Sequence, residues 1–237
     1  MDDHSSRFLD AFTGIEKWLR NQANSPQWLD FPELVDSISE SNYSVRRHNT
    51  FLKDLNKFRN LIVHHYSRNK PMATPTNHAI EQIAAIRNEL LSPPSLISLA
   101  TSPVEQCRST DPLGCSVKKM HDGVLSQLPI YDGEKCLGLL TAETIARWLA
   151  HHLGGGLGLV EEKSIAEVMQ HQEDHENYTF MAKTATVADG FAAFDDFLHR
   201  GKRLDAILIT HSGRPSEKLL GIVTIHDIPK LRRAIQE

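Results

Sequence analysis

The chain has 237 residues, a formal net charge of −4 at pH 7 and a hydrophobic fraction of 40%. This length allows one large domain or two ordinary ones, each with a normal core. Because charges of both signs are interspersed, the sequence has no overall basic footprint for nucleic acid. It contains no long apolar run and no signal-peptide pattern, and its 3 cysteines form no CxxC spacing. We therefore predict a cytoplasmic protein with reduced thiols and no membrane span.

Four helices are predicted in the N-terminal third, where apolar residues recur at helical spacing. The predicted ranges are 5–20, 31–38, 47–65 and 80–91. Pro32 suits the first turn of the second helix, and Pro71 and Pro75 end the third. Four helices with polar connections predict a small bundle over residues 1–94. The sequence Ser92-Pro93-Pro94 marks its boundary with a second domain, residues 95–237.

The third predicted helix carries three polar residues, Arg59, Asn60 and His64, within an otherwise apolar stretch. Arg59 and His64 are five residues apart, so they project about 140° from each other on an ideal helix. One helix face can hold both only if a kink or a helix end lies between them. A partner chain is the other way to bring them together.

The segment around these three residues resembles the HEPN family of helical domains, whose signature is an Arg, four to six residues and then a His. The resemblance implies a dimeric, metal-independent ribonuclease. In it, Arg59 would hold the scissile phosphate, His64 would act as general acid–base and Asn60 would orient one of them. Two alternatives stay open: a structural network that joins helices, and a scaffold or nucleotide-binding domain that does not cleave RNA.

The C-terminal part contains an internal repeat. The segment Gly138 to Ile145 matches Gly221 to Ile228, with Gly, two apolar residues and Thr at the same offsets. An apolar run precedes each copy, at residues 126–130 and 205–209, and a helical pattern precedes each run. Each copy therefore predicts strand, helix, strand, turn, strand and helix, which gives an α+β fold. The helical pattern is clearest in the second copy, at Val187, Phe191, Phe194 and Leu198.

The two copies resemble a tandem pair of CBS motifs, the Bateman module. The resemblance rests on the run Leu128 to Gly133, the two Gly-x-x-Thr segments and the lead-in Ser164 to Met169. It implies small mixed sheets with packed helices, with a first motif at about residues 95–153 and a second at about 164–237. It also implies a homodimer and a regulatory adenine nucleotide (AMP, ADP or ATP).

The end of the second copy is the predicted ligand site. Thr224 and Asp227 lie at a strand-to-helix junction, where free N–H groups suit phosphate and a carboxylate suits vicinal sugar hydroxyls. An Asp-capped helix without a ligand is the alternative. By the resemblance, Asp227 takes the ribose, Thr224 and His226 face the phosphates, and main-chain groups near Ser126 hold adenine. The full predicted set is Thr101, Leu125, Ser126, Gln127, Leu128, Pro129, Thr224, His226 and Asp227.

The mirror-image cleft of the repeat departs from this pattern. Thr144 stands where the other copy has Asp227, which weakens the ribose acceptor. Glu143 replaces His226 and Asp205 replaces Ser126, and both add negative charge that opposes phosphate. We therefore predict one competent site and one vacant or altered site.

The thirteen histidines raise the question of a metal site. Adjacent residues on a helix diverge, so His151 and His152 are not expected to share a ligand. His171 and His175 have the i, i+4 spacing of metal ligands, but no third ligand is apparent, and we predict no metal site. The glycine-rich run 154–158 is interpreted as a helix terminator and linker.

These patterns favour a regulatory protein in which a CBS pair senses an adenine nucleotide and controls the N-terminal helical domain or its partner, RNA or protein. The first alternative is a nucleotide-gated ribonuclease of the HEPN type. The second is a dimerisation scaffold without ligand or catalysis.

Overall fold

The structure is a computed structural model that describes residues 3–23, 29–64, 66–67, 70–153, 160–172 and 177–235. The chain forms two compact units. One comprises residues 1–94, 186–192 and 229–237, and the other comprises residues 95–185 and 193–228. The domain ranges 1–94 and 95–237 stay a prediction.

The N-terminal region is helical. Its helices are α1 (Asp3–Gln22), α2 (Phe31–Ser39), α3 (Tyr43–Val63) and α4 (Asn77–Leu91). The side chains of Asp30, Asn42 and Thr76 accept main-chain hydrogen bonds at the starts of α2, α3 and α4, which fixes where these helices begin. Because of the Asn42 cap, α3 begins four residues before the predicted start at residue 47. Two short antiparallel strands, which the sequence did not predict, follow α3: β1 (Tyr66–Ser67) and β2 (Lys70–Pro71).

One apolar core joins the four helices. Helix α1 packs against α4, and α2 packs against α3. Phe8 and Ile83 are fully buried in this core, and the rings of Phe12 and Phe31 stack with centroids 4.6 Å apart. The helical periodicity of the sequence therefore identified the buried faces.

The first repeat, residues 95–153, contains a hairpin between two helices. Its elements are a 3₁₀ helix (Leu96–Leu99), α5 (Leu113–Asp122), β3 (Gln127–Asp132), β4 (Lys135–Thr141) and α6 (Ala142–His152). Strands β3 and β4 pair antiparallel. In place of the strand expected before α5, this segment makes two isolated bridges: an antiparallel one from Thr101 to Ile222 and a parallel one from Cys107 to Ile130.

The second repeat, residues 164–237, contains the full predicted order of elements. They are α7 (Ile165–Val168), β5 (Tyr178–Ala182), α8 (Val187–His199), β6 (Ala206–Thr210), β7 (Gly221–Thr224) and α9 (Ile228–Ala234), with 3₁₀ helices at Met169–His171 and Ile225–Asp227. A further 3₁₀ helix, Val160–Glu162, precedes the repeat. Strand β6 pairs parallel with β5 and antiparallel with β7, so the sheet is mixed. The predicted α+β class is confirmed. One detail was wrong: Leu198 is 73% exposed, although its spacing placed it on the apolar face of α8.

The two repeats share a core. Tyr131 and Leu139 of the first repeat pack in one cluster with Ala206, Leu208 and Ile222 of the second. Thr101 also pairs with Ile222 of β7, through main-chain bonds of 2.9 and 3.1 Å. The strand ends of the two repeats are therefore held together, and these ends carry the candidate sites.

No described helix is long and apolar enough to cross a membrane. The cysteines are free thiols: Cys107 and Cys136 are buried, and Cys115 is exposed.

Candidate functional site

A cavity of about 240 Å³ lies where β7 ends, and we call it the Thr224 cleft. Its walls come from both repeats. They include every residue of the predicted ligand set except Leu128, namely Thr101, Leu125, Ser126, Gln127, Pro129, Thr224, His226 and Asp227. The side chain of Leu128 is fully buried in the core of the first repeat instead. Eight of the nine residues that the resemblance implied therefore line one concave surface.

Asp227 is held at the mouth of the Thr224 cleft by local hydrogen bonds. Its Oδ2 atom accepts from the main-chain N–H of Thr224 at 2.8 Å and from the Thr224 hydroxyl at 3.0 Å. These bonds form because β7 ends at Thr224 and the chain turns at once into a 3₁₀ helix. They engage one carboxylate oxygen, so Oδ1 is the atom that can accept from the hydroxyls of a ligand.

The opposite wall is fixed by bonds within and between the repeats. The carbonyl of Ser126 accepts from the N–H of Ala142 at 3.0 Å. The side-chain amide of Gln127 donates to the carbonyl of Asp205 at 3.1 Å. These bonds engage the Ser126 carbonyl and one of the two Gln127 amide N–H groups, and the Ser126 hydroxyl is a further polar group of this wall.

Sequence reasoning missed five lining residues: Pro103, Val104, Glu105, Val124 and Ile222. Four of them are apolar and give the cleft walls suited to a flat ring. Glu105 adds a second carboxylate to that of Asp227, and no Lys or Arg is among the described residues that line the cleft. Only Ile222 carried a usable signal, since it belongs to the Gly-x-x-Thr segment. The others reach the cleft through tertiary folding.

The mirror-image cavity is smaller, about 130 Å³, and we call it the Thr141 cleft. It contains the three residues that the sequence analysis placed there: Glu143, Thr144 and Asp205. Thr144 is buried, and its hydroxyl lies 2.9 Å from that of Thr141. The position that corresponds to Asp227 therefore offers no exposed carboxylate.

Two arginines offset the negative charge of the Thr141 cleft, which the sequence analysis did not anticipate. Arg203 Nε lies 2.7 Å from Asp205 Oδ1, and Arg203 Nη1 lies 3.7 Å from Glu143 Oε2. Arg147 Nη2 lies 3.3 Å from Glu143 Oε1. Asn177 donates to the second Asp205 oxygen at 2.9 Å. The polar groups of this cleft are thus paired with one another.

The two clefts correspond residue by residue. Gln127 lies opposite Thr141 in the β3–β4 ladder, as Ala206 lies opposite Thr224 in the β6–β7 ladder. Counting back from Gln127 and Ala206, Ser126 corresponds to Asp205 and Val124 to Arg203. The backbone frame is shared, and the two clefts differ in the side chains that line it.

The polar trio of the N-terminal region lies together at the end of α3. Arg59 Nη1 is 2.9 Å from His64 Nε2 and donates to Asn60 Oδ1 at 3.1 Å. Helix α3 ends at Val63 and His64 occupies the cap, so the required helix end lies between Arg59 and His64. His64 is exposed, and Arg59 and Asn60 are half-buried.

The charges near this trio are partly neutralised. Lys53 pairs with Asp36 at 2.5 Å, and Lys57 pairs with Asp54 at 2.8 Å. The neighbouring His65 lies outside the described residues.

Three histidines of the first and second repeats lie close together. The ring of His171 is 4.8 Å from that of His151 and 5.7 Å from that of His152, centroid to centroid. The rings of His151 and His152 are 5.1 Å apart, so the expectation that they diverge was wrong. Among the described residues, no group of three His, Cys, Asp or Glu is arranged to hold a metal ion. His175 and the glycine run 154–158 lie outside the described residues.

Residues 96–151 match the family model of the CBS domain. No curated protein matches the chain. A CBS domain of a membrane protein from Sphaerobacter thermophilus is 19% identical over 65% of this chain and 95% of its own, with a TM-score of 0.44. A CBS-domain containing protein from Agrobacterium tumefaciens is 18% identical over 58% and 98%, with a TM-score of 0.41. CBSX2, solved in complex with AMP, is 12% identical over 61% and 99%, with a TM-score of 0.44.

Proposed function

We propose that this chain, which contains a CBS domain at residues 96–151, is a regulatory protein that binds one adenine nucleotide in the Thr224 cleft. The second repeat completes a tandem CBS pair, and the bound nucleotide controls the N-terminal helical region or its partner. The observation that carries the proposal is the convergence of residues from both repeats, chosen from the sequence, on one cavity.

The chemistry of the Thr224 cleft suits a nucleoside. The free Oδ1 atom of Asp227 accepts hydrogen bonds from the ribose hydroxyls, and a bond to a charged group contributes about 1.5–3 kcal/mol. The apolar side chains around Val104 and Ile222 flank the base. His226, in the 3₁₀ turn after β7, faces the phosphate, and Thr224 reaches it when its hydroxyl turns away from Asp227 Oδ2.

The charge of the cleft sets an order among nucleotides. Glu105 and Asp227 both carry carboxylates, and the described lining residues include no Lys or Arg to balance added phosphates. Each further phosphate therefore meets repulsion that nothing in the described lining offsets. AMP binds most tightly, followed by ADP and then ATP.

Regulation follows from the position of the cleft between the repeats. A nucleotide that contacts Asp227 on one side and Ser126 on the other stabilises the arrangement in which both are close. It acts as a switch because its affinity for that arrangement exceeds its affinity for an opened one. The active form is a homodimer, which light scattering checks: a monomeric mass at working concentration would contradict this.

The test is titration calorimetry with AMP, ADP, ATP and S-adenosylmethionine. The wild type binds AMP at one per chain. Asp227→Ala weakens AMP binding by about 10–100-fold, the loss of a hydrogen bond to a charged acceptor. Thr144→Ala, at the corresponding position of the other cleft, leaves binding unchanged.

Two results would overturn the proposal. Two equivalent sites per chain would show that the difference between the clefts does not matter. Absence of binding to every nucleotide would indicate that the repeats form a dimerisation scaffold instead.

A second function is favoured by the contact between Arg59 and His64, 2.9 Å apart at an exposed helix end. This pair has the composition of a metal-independent ribonuclease site, in which Arg59 holds a phosphate and His64 transfers a proton. Asn60 orients Arg59 through their hydrogen bond.

Cleavage of single-stranded RNA, with and without AMP, tests this second function. His64→Ala abolishes cleavage, whereas His78→Ala, a change at an exposed histidine of α4, leaves it intact. Cleavage by the His64→Ala protein at the wild-type rate would show that other residues carry the activity.

A further inference from the structure

Val124 has a backbone conformation that its side chain disfavours. Its φ angle is +51°, and it is the one non-glycine residue with a positive φ in the described part of the chain. In this left-handed region the Cβ atom approaches the following carbonyl oxygen, and a branched Cβ makes the crowding worse. The free protein therefore carries local strain at this position.

The strain arises where α5 ends. The N–H of Leu125 donates to the carbonyl of Met120 at 2.8 Å, which closes the helix through a left-handed residue at position 124. This type of helix end usually has glycine at the left-handed position, since glycine has no Cβ. Gly123 lies one residue earlier, so the chain has a glycine beside the position that needs it.

The second repeat supplies an internal comparison. Helix α8 ends with the same bond, from the N–H of Lys202 to the carbonyl of Phe197 at 2.9 Å. Its left-handed residue is Gly201, with a φ of +68°. The same helix end is therefore made without strain in one repeat and with strain in the other.

Packing within the free protein does not explain the valine. Val124 is 93% exposed, so its side chain contributes no core burial to offset the strain. The residue does line the Thr224 cleft, together with Leu125 and Ile222. An apolar side chain that is exposed in the free protein and borders a cavity gains burial only when something fills that cavity.

We infer that Val124 is a ligand-contacting residue whose side chain covers the base of a nucleotide bound in the Thr224 cleft. Burial against the base offsets the strain, so the residue favours the bound form over the free one. This inference rests on the proposed function and adds to it a residue that sets affinity for the base rather than for the sugar or the phosphate.

The test compares wild type and Val124→Gly by thermal unfolding without ligand and by titration with AMP. Glycine relieves the strain but leaves the unfolded chain freer, so the melting temperature rises by only about 1–3 °C. The dissociation constant for AMP rises by about 3–10-fold, because the apolar contact is lost. Binding of ribose 5-phosphate, which lacks the base, is the same in both proteins.

Gly201→Val is the matched control. A Cβ atom at Gly201 meets nothing within 4 Å, so the substitution adds the same type of strain without a clash. Its melting temperature falls, and its affinity for AMP is unchanged because Gly201 does not line the Thr224 cleft.

Two results would overturn the inference. The first is a Val124→Gly protein that binds AMP as tightly as the wild type. The second is a fall in its melting temperature, which would make Val124 a structural residue. If the wild type binds AMP and Asp227→Ala does not, either result rejects the role of Val124 alone. If the wild type does not bind AMP, both the proposed function and the role of Val124 are rejected.

Discussion

The Thr224 cleft and the Thr141 cleft share one backbone frame but differ in how their polar groups are used. In the first, the charged side chains Glu105 and Asp227 face a cavity of about 240 Å³, and no Arg or Lys is among its described lining residues. In the second, Arg203 and Arg147 pair with Glu143 and Asp205 around about 130 Å³.

This difference shows how two copies of a repeat can keep one backbone frame and differ in the charges of the clefts that they form. The hydrogen bond from Ala142 to Ser126, at 3.0 Å, has its counterpart in the bond from Ile225 to Asp205, at 3.2 Å. The frame is thus independent of the side chains that line it. A few substitutions should therefore convert one cleft into the other.

The largest expected effect is the gain of a second site. The fourfold variant Glu143→His, Thr144→Asp, Arg203→Val and Asp205→Ser gives the Thr141 cleft the side chains of its counterpart. It removes the internal ion pairs and restores the acceptor for ribose, so calorimetry should give two AMP per chain instead of one. Thr144→Asp alone should still give one, because the ion pairs remain. A fourfold variant that binds one AMP would contradict the correspondence between the clefts.

The next effect concerns the stability of the paired cleft. The side chain of Asp205 is 11% exposed, so Arg203→Ala leaves a nearly buried carboxylate without its cation. We expect a loss of about 1–3 kcal/mol in the free energy of unfolding, measured with urea. Arg147→Ala should cost less than about 0.5 kcal/mol, since its ion pair with Glu143 is exposed on both sides. Equal losses would show that the burial of Asp205 is unimportant.

A smaller effect concerns the open cleft. Glu105→Gln removes one carboxylate from a cavity that is to hold a phosphate, so AMP binding should tighten by about 2–5-fold at low salt. ATP binding should tighten more than AMP binding because ATP carries more negative charge. Glu134→Gln, at an exposed residue outside both clefts, is the control. Unchanged affinity for both nucleotides would show that the phosphates do not approach Glu105.

The smallest effect appears only at alkaline pH. Burial raises the pKa of the Cys107 thiol in the first repeat from 9.0 to about 11. Burial, together with the nearby Cys136, raises the pKa of Tyr178 in the second repeat from 10.0 to about 12. The unfolded chain loses both protons first, so stability is full below pH 9 and falls as the pH rises toward 12.

Urea unfolding from pH 8 to pH 11 checks this fall. Tyr178→Phe should make it shallower, because one of the groups whose pKa is raised by burial is then absent; burial also raises the pKa values of Tyr131 and Cys136. An unchanged slope in that variant would assign the pH dependence to other groups.

The sequence was most informative where a pattern repeats. The offsets shared by Gly138 to Ile145 and Gly221 to Ile228 identified the repeat and its matching strand ends, because register along a strand fixes which residues end it. The resemblance to CBS pairs then supplied the residues of the opposite wall. The polar trio was also found, but the predicted helix 47–65 ran past His64, whereas α3 ends at Val63 and so provides one of the two arrangements that the trio allowed. Apolar spacing was less reliable at the ends of elements: it started α3 late, because Asn42 sets the start, and it placed the exposed Leu198 on a buried face.

The remaining site residues could not be read from spacing. Glu105 and Pro103 reach the Thr224 cleft through the fold of the segment before α5, where isolated bridges at Thr101 and Cys107 take the place of the expected strand. The position that corresponds to Arg203 holds Val124 in the other repeat. Comparison of the two copies therefore did not indicate that Arg203 lines a cleft. The backbone angle of Val124 depends on how α5 ends, and a valine does not indicate such a conformation.

The pairing of Thr101 with Ile222 has a consequence for how the chain can be divided. Strand β7 has β6 on one side, and the segment around Thr101 covers part of its other edge. An uncovered edge offers free N–H and C=O groups to strands of other molecules and promotes aggregation. A fragment that lacks residues 95–102 would expose that edge. The second repeat, expressed alone, should therefore self-associate, and adding a peptide that spans the missing residues should suppress this by restoring the cover.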